Sequence, residues 1–320
     1  QYLFGSCHAL DTIIFNNTAQ VNDTVIIPDN IDSIRRSAFI DCYSIKHIRL
    51  GKNVSSIESY AFSGCTGLIS IDLNEAVSSI GENSFQYCIS LTSFEMNDNI
   101  EVINPGTFLK CGNLSTVRFS ERLTMIGNNS FSECYSLKSV KIPDSVIMVN
   151  KSAFYNCIGM EALIFGPNLT SIGNYAFSYC SNLTSITIPR NLISIDDRSF
   201  EHCDSFESIN VLEGNPMYLS YDGVMYTNEP SPKIFLFPLK KEGHLMFHPN
   251  MTSISFDINY LSSSNITSIT FGEKTKYIDS FTFRFFINLE SIKMENVVTI
   301  GISAFEECPL LTNVTIHSAK

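Results

Sequence analysis

The chain contains no tryptophan, and only 17% of its 320 residues are charged. Basic residues are scarce: 21 Lys and Arg stand against 32 Asp and Glu, for a formal net charge of −11. That balance argues against nucleic acid as a partner, because phosphate recognition needs clustered Lys and Arg. It also disfavours docking on anionic lipid. No apolar run approaches the roughly 18 residues a membrane-spanning helix requires. GxSxG, GxGxxG and Walker-type loops are missing, which removes the commonest hydrolase and nucleotide-binding readings. No CxxC pair occurs, so the usual cysteine-zinc spacing is lacking too. The chain opens at Gln1 without a methionine or a signal-like segment, and the last coil before Lys320 has no cap. Both features are read as those of an excerpt or processed form of a longer chain.

What is present is a repeat. A 44% hydrophobic share is ample for a continuous core. Phe39, Phe62, Phe85, Phe108, Phe131, Phe154, Phe177 and Phe200 recur every 23 residues without slippage. Each is followed three residues later by a cysteine, from Cys42 to Cys203, and preceded five residues earlier by Ile or Val, from Ile34 to Ile195. A fixed period of this length means stacked units that bury their apolar faces only against their neighbours.

The coil Leu137 to Phe154 shows the chemistry. Val140 and Ile142 alternate with Ser139 and Lys141, the pattern of a half-buried strand. Pro143-Asp144-Ser145 turns the chain, and Val146 and Val149 face inward from a second side. Ala153, Phe154 and Cys157 supply a third side, expected to be a short helical or irregular turn. Twenty-three residues are too few for a full βαβ unit of about 30 or more. The expected fold is therefore a curved right-handed solenoid, with a parallel β-sheet on one face and short turns on the other. Its repeated Phe residues form an interior ladder. The eight in-register cysteines are expected to be buried structural thiols, since parallel strands hold equivalent Cβ atoms about 4.8 Å apart, beyond the usual disulfide separation. Disulfides between some of them are the competing reading.

Phe4, Cys7, Leu10 and Ile13 carry the same spacing, so an array runs over residues 1–211, with an extra stretch near 16–24 between strand-like runs Thr12–Phe15 and Val25–Ile27. After Val211 the register is lost. Asn215-Pro216, Asp222-Gly223 and Pro230-Ser231-Pro232 alternate with apolar stretches, which reads as a hairpin-bearing insertion over 212–250. The array resumes over 251–320 with a degenerate coil at Tyr260, Ile266 and Ile269. A better coil follows at Ile278, Phe283, Leu289 and Ile292, where Phe286 replaces the cysteine. The full pattern returns at Ile300, Phe305, Cys308, Leu311 and Val314.

The phrases LTSITIP at Leu183–Pro189 and IGNYAFSYC at Ile172–Cys180 closely resemble the BspA-like leucine-rich repeat proteins of bacteria and parasitic protists. The block from Asn215-Pro216 through Tyr218, Asp222-Gly223-Val224-Met225-Tyr226 and Phe237-Pro238 resembles that family's irregular unit. The resemblance implies a solenoid displayed on the cell surface or secreted, which binds host matrix proteins, host cell-surface proteins or other microbes. It brings no catalytic residues, so no enzyme activity and no cofactor or metal are expected.

The outward column of each strand is the expected protein-binding surface: Arg49, Asp72, Glu95, Arg118, Lys141, Ile164, Thr187 and Asn210. These vary in charge and size, whereas the neighbouring column, from His47 to Ser208, is small and nearly uniform. A solvated face with no ligand explains the same variation, which leaves a surface-coat spacer as the alternative function. An enzyme hidden in the insertion is a third class. His244 and His248 have the spacing of a helical zinc site but lie in a strand-like run without the Glu of a zinc protease. Asp196-Asp197 and Glu306-Glu307 are expected on solvated turns. Eleven N-x-S/T sequons, at Asn16, Asn22, Asn53, Asn113, Asn128, Asn150, Asn168, Asn182, Asn250, Asn265 and Asn313, are compatible with a glycosylated surface. The repeat's own preference for Asn-Leu-Thr or Asn-Leu-Ser explains several of them equally well.

Overall fold

The computed structural model describes residues 6–7, 24–196, 198–255 and 265–316. Phe4, Leu10, Ile13, the run Thr12–Phe15, the stretch from Asn16 to Asp23 with its two sequons, Asp197 and Tyr260 lie outside the described residues. The chain divides into two units, Gln1–Leu183 with Ser194–Cys203, and Thr184–Ile193 with Asp204–Lys320.

In the first unit each coil contributes two strands. Ser139–Lys141 exposes Ser139 and Lys141 and buries Val140, as alternation dictates. The chain turns at Asp144-Ser145, where the Val146 amide donates to the Pro143 carbonyl at 3.1 Å, and then forms Met148–Val149. Equivalent strands pair in parallel one coil apart: Val140 with Leu163, and Val149 with Ile172. The two-residue strands make two ladders, one of Ser33–Ile34, Ser56–Ile57 and Ser79–Ile80, the other of Val102–Ile103, Met125–Ile126, Met148–Val149, Ser171–Ile172 and Ser194–Ile195. The longer strands pair in runs of two or three: Thr24–Ile26 with His47–Arg49 and Ser70–Asp72, Ser93–Glu95 with Thr116–Arg118, and Ser139–Lys141 with Ala162–Ile164.

The third side is not helical: the described residues contain no helix. Backbone conformation explains this. From Phe39 to Phe177 the residues two before and two after each ladder Phe adopt left-handed φ, as at Asn129 (54°) and Glu133 (61°) around Phe131, and at Ser152 (53°) and Asn156 (58°) around Phe154. Helix cannot propagate through such alternation. Instead each segment closes tight turns on itself, with Ser132 N donating to Asn129 O and Cys134 N to Phe131 O, both at 3.2 Å. The remaining amides donate to the next coil, Phe131 N to Ala153 O at 2.7 Å and Glu133 N to Tyr155 O at 2.8 Å. The turn side is thus a third inter-coil ladder.

The interior is filled by columns. From Phe39 to Phe200, neighbouring rings stack with centroids 5.1 to 5.6 Å apart and planes within 15°. Each cysteine from Cys65 to Cys203 is buried and donates its thiol to the carbonyl of the Phe in the preceding coil, at 3.0 to 3.4 Å. None of the ten cysteines is joined in a disulfide. Burial pushes the Cys157 thiol up to about 12 and that of Cys42 to about 11.

Four residues before the Phe, large and small residues alternate from Phe62 to Phe200: Glu58, Gly81, Asn104, Gly127, Asn150, Gly173 and Asp196. The glycines allow close approach. A Cβ on Gly127 would lie 2.5 Å from the Ile103 carbonyl oxygen.

In the second unit Ser185–Ile188 pairs in parallel with Ser208–Val211. Tyr218–Tyr221 then folds back antiparallel on Val224–Thr227. Asp222 and Gly223 at the tip both have positive φ (51° and 75°), which a two-residue hairpin with matching twist requires. Ile234–Leu236 adds a third antiparallel strand. Buried Asn215 anchors the entry: its amide donates to Pro189 O and Leu192 O, and its Oδ1 accepts from Met217 N and Tyr218 N, all at 2.9 Å. Parallel pairing resumes with Glu242–Met246, Asn265–Thr270, Ser291–Met294 and Asn313–Ile316. Phe286, at the cysteine position, is fully buried and packs edge-on against Phe283 at 5.3 Å.

A candidate protein-binding face on the strands

All eight residues of the outward column are exposed. Period-2 alternation places them there: the residue before each points into the core, so its own side chain must leave it. Parallel register brings them together in pairs. Arg49 lies opposite Asp72, and its Nε is 3.5 Å from Asp72 Oδ2. Glu95 registers with Arg118, whose guanidinium donates to the Met96 carbonyl at 2.8 Å. Lys141 registers with Ile164, which is 57% exposed although isoleucine favours burial. In the second unit Thr187 registers with Asn210, and the Asn210 side chain accepts from Ser220 Oγ at 3.4 Å. The flanking column joins coils through side chains, as where His47 Nδ1 meets Ser70 Oγ at 2.8 Å.

The other candidates disperse. His244 lies in the strand Glu242–Met246 with its Nδ1 2.8 Å from Ser268 Oγ, whereas His248 lies past the strand end with its ring 5.3 Å from that of Tyr221. Burial holds His248 below the usual histidine range. Glu306 pairs with Arg284 at 2.8 Å. Asp196 is exposed. Among the sequon asparagines within the described residues, Asn150 is half-buried and the rest are exposed. Two of these have engaged amides: Asn53 donates to Asp29 O and Asn265 to Glu242 Oε1.

The sequence reading passed over a second surface. On the turn side of the first unit, Tyr87, Tyr155, Tyr175 and Tyr179 line a groove of about 660 Å³. They occupy three different positions relative to the repeat's Phe, so no single column displays them. The only signal was the clustering of tyrosines around Phe154 and Phe177.

The architecture is that of a leucine-rich repeat solenoid. The family model described as the BspA type leucine rich repeat region matches in six copies over residues 8–135, 101–216 and 243–320, and the chain belongs to that family. A leucine-rich repeat protein from Bacteroides ovatus has the same fold, with a TM-score of 0.61 and 22% identity over 91% of this chain and 72% of that one. A T. pallidum leucine-rich repeat protein is 29% identical, covers 50% of this chain and 78% of its own, and has a TM-score of 0.47. A leucine rich cell surface protein from Faecalibacterium prausnitzii is 20% identical over 95% of this chain and 81% of its own, with a TM-score of 0.41. No curated protein matches the sequence.

Proposed function

We propose that the chain is a non-enzymatic protein-interaction scaffold, displayed on the cell surface or secreted, which binds host matrix or cell-surface proteins through its strand face. The observation that carries this reading is the contrast between adjacent columns. Interior positions repeat the same residues coil after coil, while the exposed column offers Arg49, Asp72, Glu95, Arg118, Lys141 and Ile164 in turn. A partner of mixed charge fits such a surface. The rim-like charges set association rate and salt dependence, and exposed Ile164 contributes most of the affinity. Family membership supports the protein-binding class. Glycosylation of the exposed sequons belongs to the same reading and requires a eukaryotic source.

The test is retention of the chain on immobilised matrix proteins and on host cells. Arg118→Glu with Lys141→Glu should weaken attachment while circular dichroism shows the protein still folded, whereas Asp196→Lys, off this face, should bind as wild type. If all variants bind alike, or if no host protein is retained, the spacer function replaces this one.

A further inference from the structure

We propose that the tyrosine groove on the turn side of the first unit binds a neutral oligosaccharide. The groove runs along the coil stack from Tyr87 to Glu201. Five coil steps at the spacing of stacked strands make it about 24 Å long. That suits an extended chain better than a compact metabolite.

Its lining has the two elements that sugar recognition needs. Aromatic faces come from Tyr87 and Tyr179, which are 43% and 39% exposed, and from Tyr155, whose ring meets that of Tyr179 edge-on at 5.4 Å. Such faces pack against the C–H surface of a pyranose; with the Tyr87 side chain already bonded to Lys110, the hydroxyls of Tyr155 and Tyr179 are the ones offered to sugar hydroxyls. Between them Asn129, Ser132 and Ser152 supply amide and hydroxyl groups, and Glu133 and Glu201 supply carboxylate acceptors.

The tyrosines also occupy costly positions. Tyr87, Tyr175 and Tyr179 have φ of 60°, 58° and 61°, where a bulky residue is uncommon. Gly64 and Gly106 fill the equivalent places in other coils. The packing of the coil therefore does not demand tyrosine there, and a surface role accounts for it.

Two observations separate a sugar from other ligands. The groove's backbone is consumed by the inter-coil ladder: Tyr87 N donates to Leu109 O, Lys110 N to Ser132 O, Glu133 N to Tyr155 O and Tyr179 N to Glu201 O, at 2.8 to 2.9 Å. An extended peptide cannot add as a strand to amides already paired, so recognition falls to side chains. Charge then selects among sugars. Lys110 lies 3.7 Å from Glu133 and 5.2 Å from the centre of the Tyr87 ring, so its charge is already engaged. Against that one cation the lining sets two carboxylates, a surplus of one negative charge, which disfavours sialylated and sulfated chains.

The experiment presents the whole chain to an array of oligosaccharides ending in galactose, mannose or N-acetylglucosamine, with sialylated and sulfated counterparts and proline-rich peptides on the same surface. Retention on one or more neutral sugars is expected. Tyr155→Ala and Tyr179→Ala should each reduce it about tenfold, and Tyr179→Phe, which keeps the ring face, should reduce it less. Tyr87→Ala, at an exposed position, provides a variant whose fold is least at risk, and unchanged thermal unfolding checks all four. The strand-face pair Arg118→Glu and Lys141→Glu should bind sugar as wild type, so this site and the protein-binding face succeed or fail separately. Retention only on charged sugars, retention of peptides in place of sugars, no retention at all, or binding indifferent to the tyrosines would each overturn the proposal.

Discussion

The Cys157 thiol donates to the Phe131 carbonyl at 3.2 Å, across the boundary between two coils. The same oxygen accepts from Cys134 N of its own coil at 3.2 Å, so both of its lone pairs are used. Three residues before Cys157, Phe154 stacks on Phe131 at 5.1 Å with planes 4° apart. One short segment thus supplies the aromatic contact, the hydrogen bond and the backbone ladder that join neighbouring coils.

Serine should not replace the thiol. Its shorter C–O bond draws the donor back from the carbonyl and leaves a buried hydroxyl badly placed. Cys157→Ser should lower the unfolding free energy by about 1–3 kcal/mol in urea titrations. A serine variant as stable as wild type would show that the thiol matters only as volume.

The thiols should also shape the pH dependence. Burial holds the folded-state pKa of Cys42, Cys65, Cys88, Cys111, Cys134, Cys157 and Cys180 above the ordinary value. Unfolded thiols ionise near pH 8.5, so above that pH unfolding releases protons. Their stabilisation is full below about pH 8.5 and declines as pH rises towards the folded values, by about 1.4 kcal/mol per pH unit for each thiol. Urea midpoints should therefore drop sharply between about pH 9 and 11. At pH 8 a maleimide should label exposed Cys7 quickly and half-buried Cys308, whose thiol burial pushes up, more slowly in the native protein, and all ten cysteines only after unfolding.

Phe154→Ala removes a ring held between two others. The cavity cannot collapse because backbone ladders fix the coil spacing on every side, so the cost should be about 3–5 kcal/mol. Denaturant unfolding followed by tyrosine fluorescence would measure it, and a loss below about 1 kcal/mol would contradict a rigid ladder.

Close approach makes a paired prediction at glycine. Gly127→Ala would set a Cβ 2.5 Å from backbone and should destabilise by about 1–3 kcal/mol. Gly112→Ala meets only the Tyr135 side chain, at 3.4 Å, and should leave thermal unfolding nearly unchanged.

The 23-residue period, the Phe ladder, the buried cysteines and the outward placement of Arg49 through Asn210 were all legible in the sequence. So was the turn at Asp222-Gly223. Each is a local or strictly periodic property. In a stack with constant register, position within the repeat dictates both burial and neighbour, so residues 23 apart must meet.

The tertiary structure alone decided three matters. Left-handed residues on both sides of the Phe, from Phe39 to Phe177, decided between the helical and the irregular turn in favour of an irregular, hydrogen-bonded ladder, because φ is set by inter-coil bonding as well as by side-chain type. The close approach of backbones explained the glycine alternation at 81, 127 and 173, a contact between coils that leaves no mark on hydropathy. The groove of Tyr87, Tyr155, Tyr175 and Tyr179 arose from three different repeat positions brought into line. Periodicity reads one column at a time, whereas a site assembled across columns exists only once φ and coil packing have aimed its side chains.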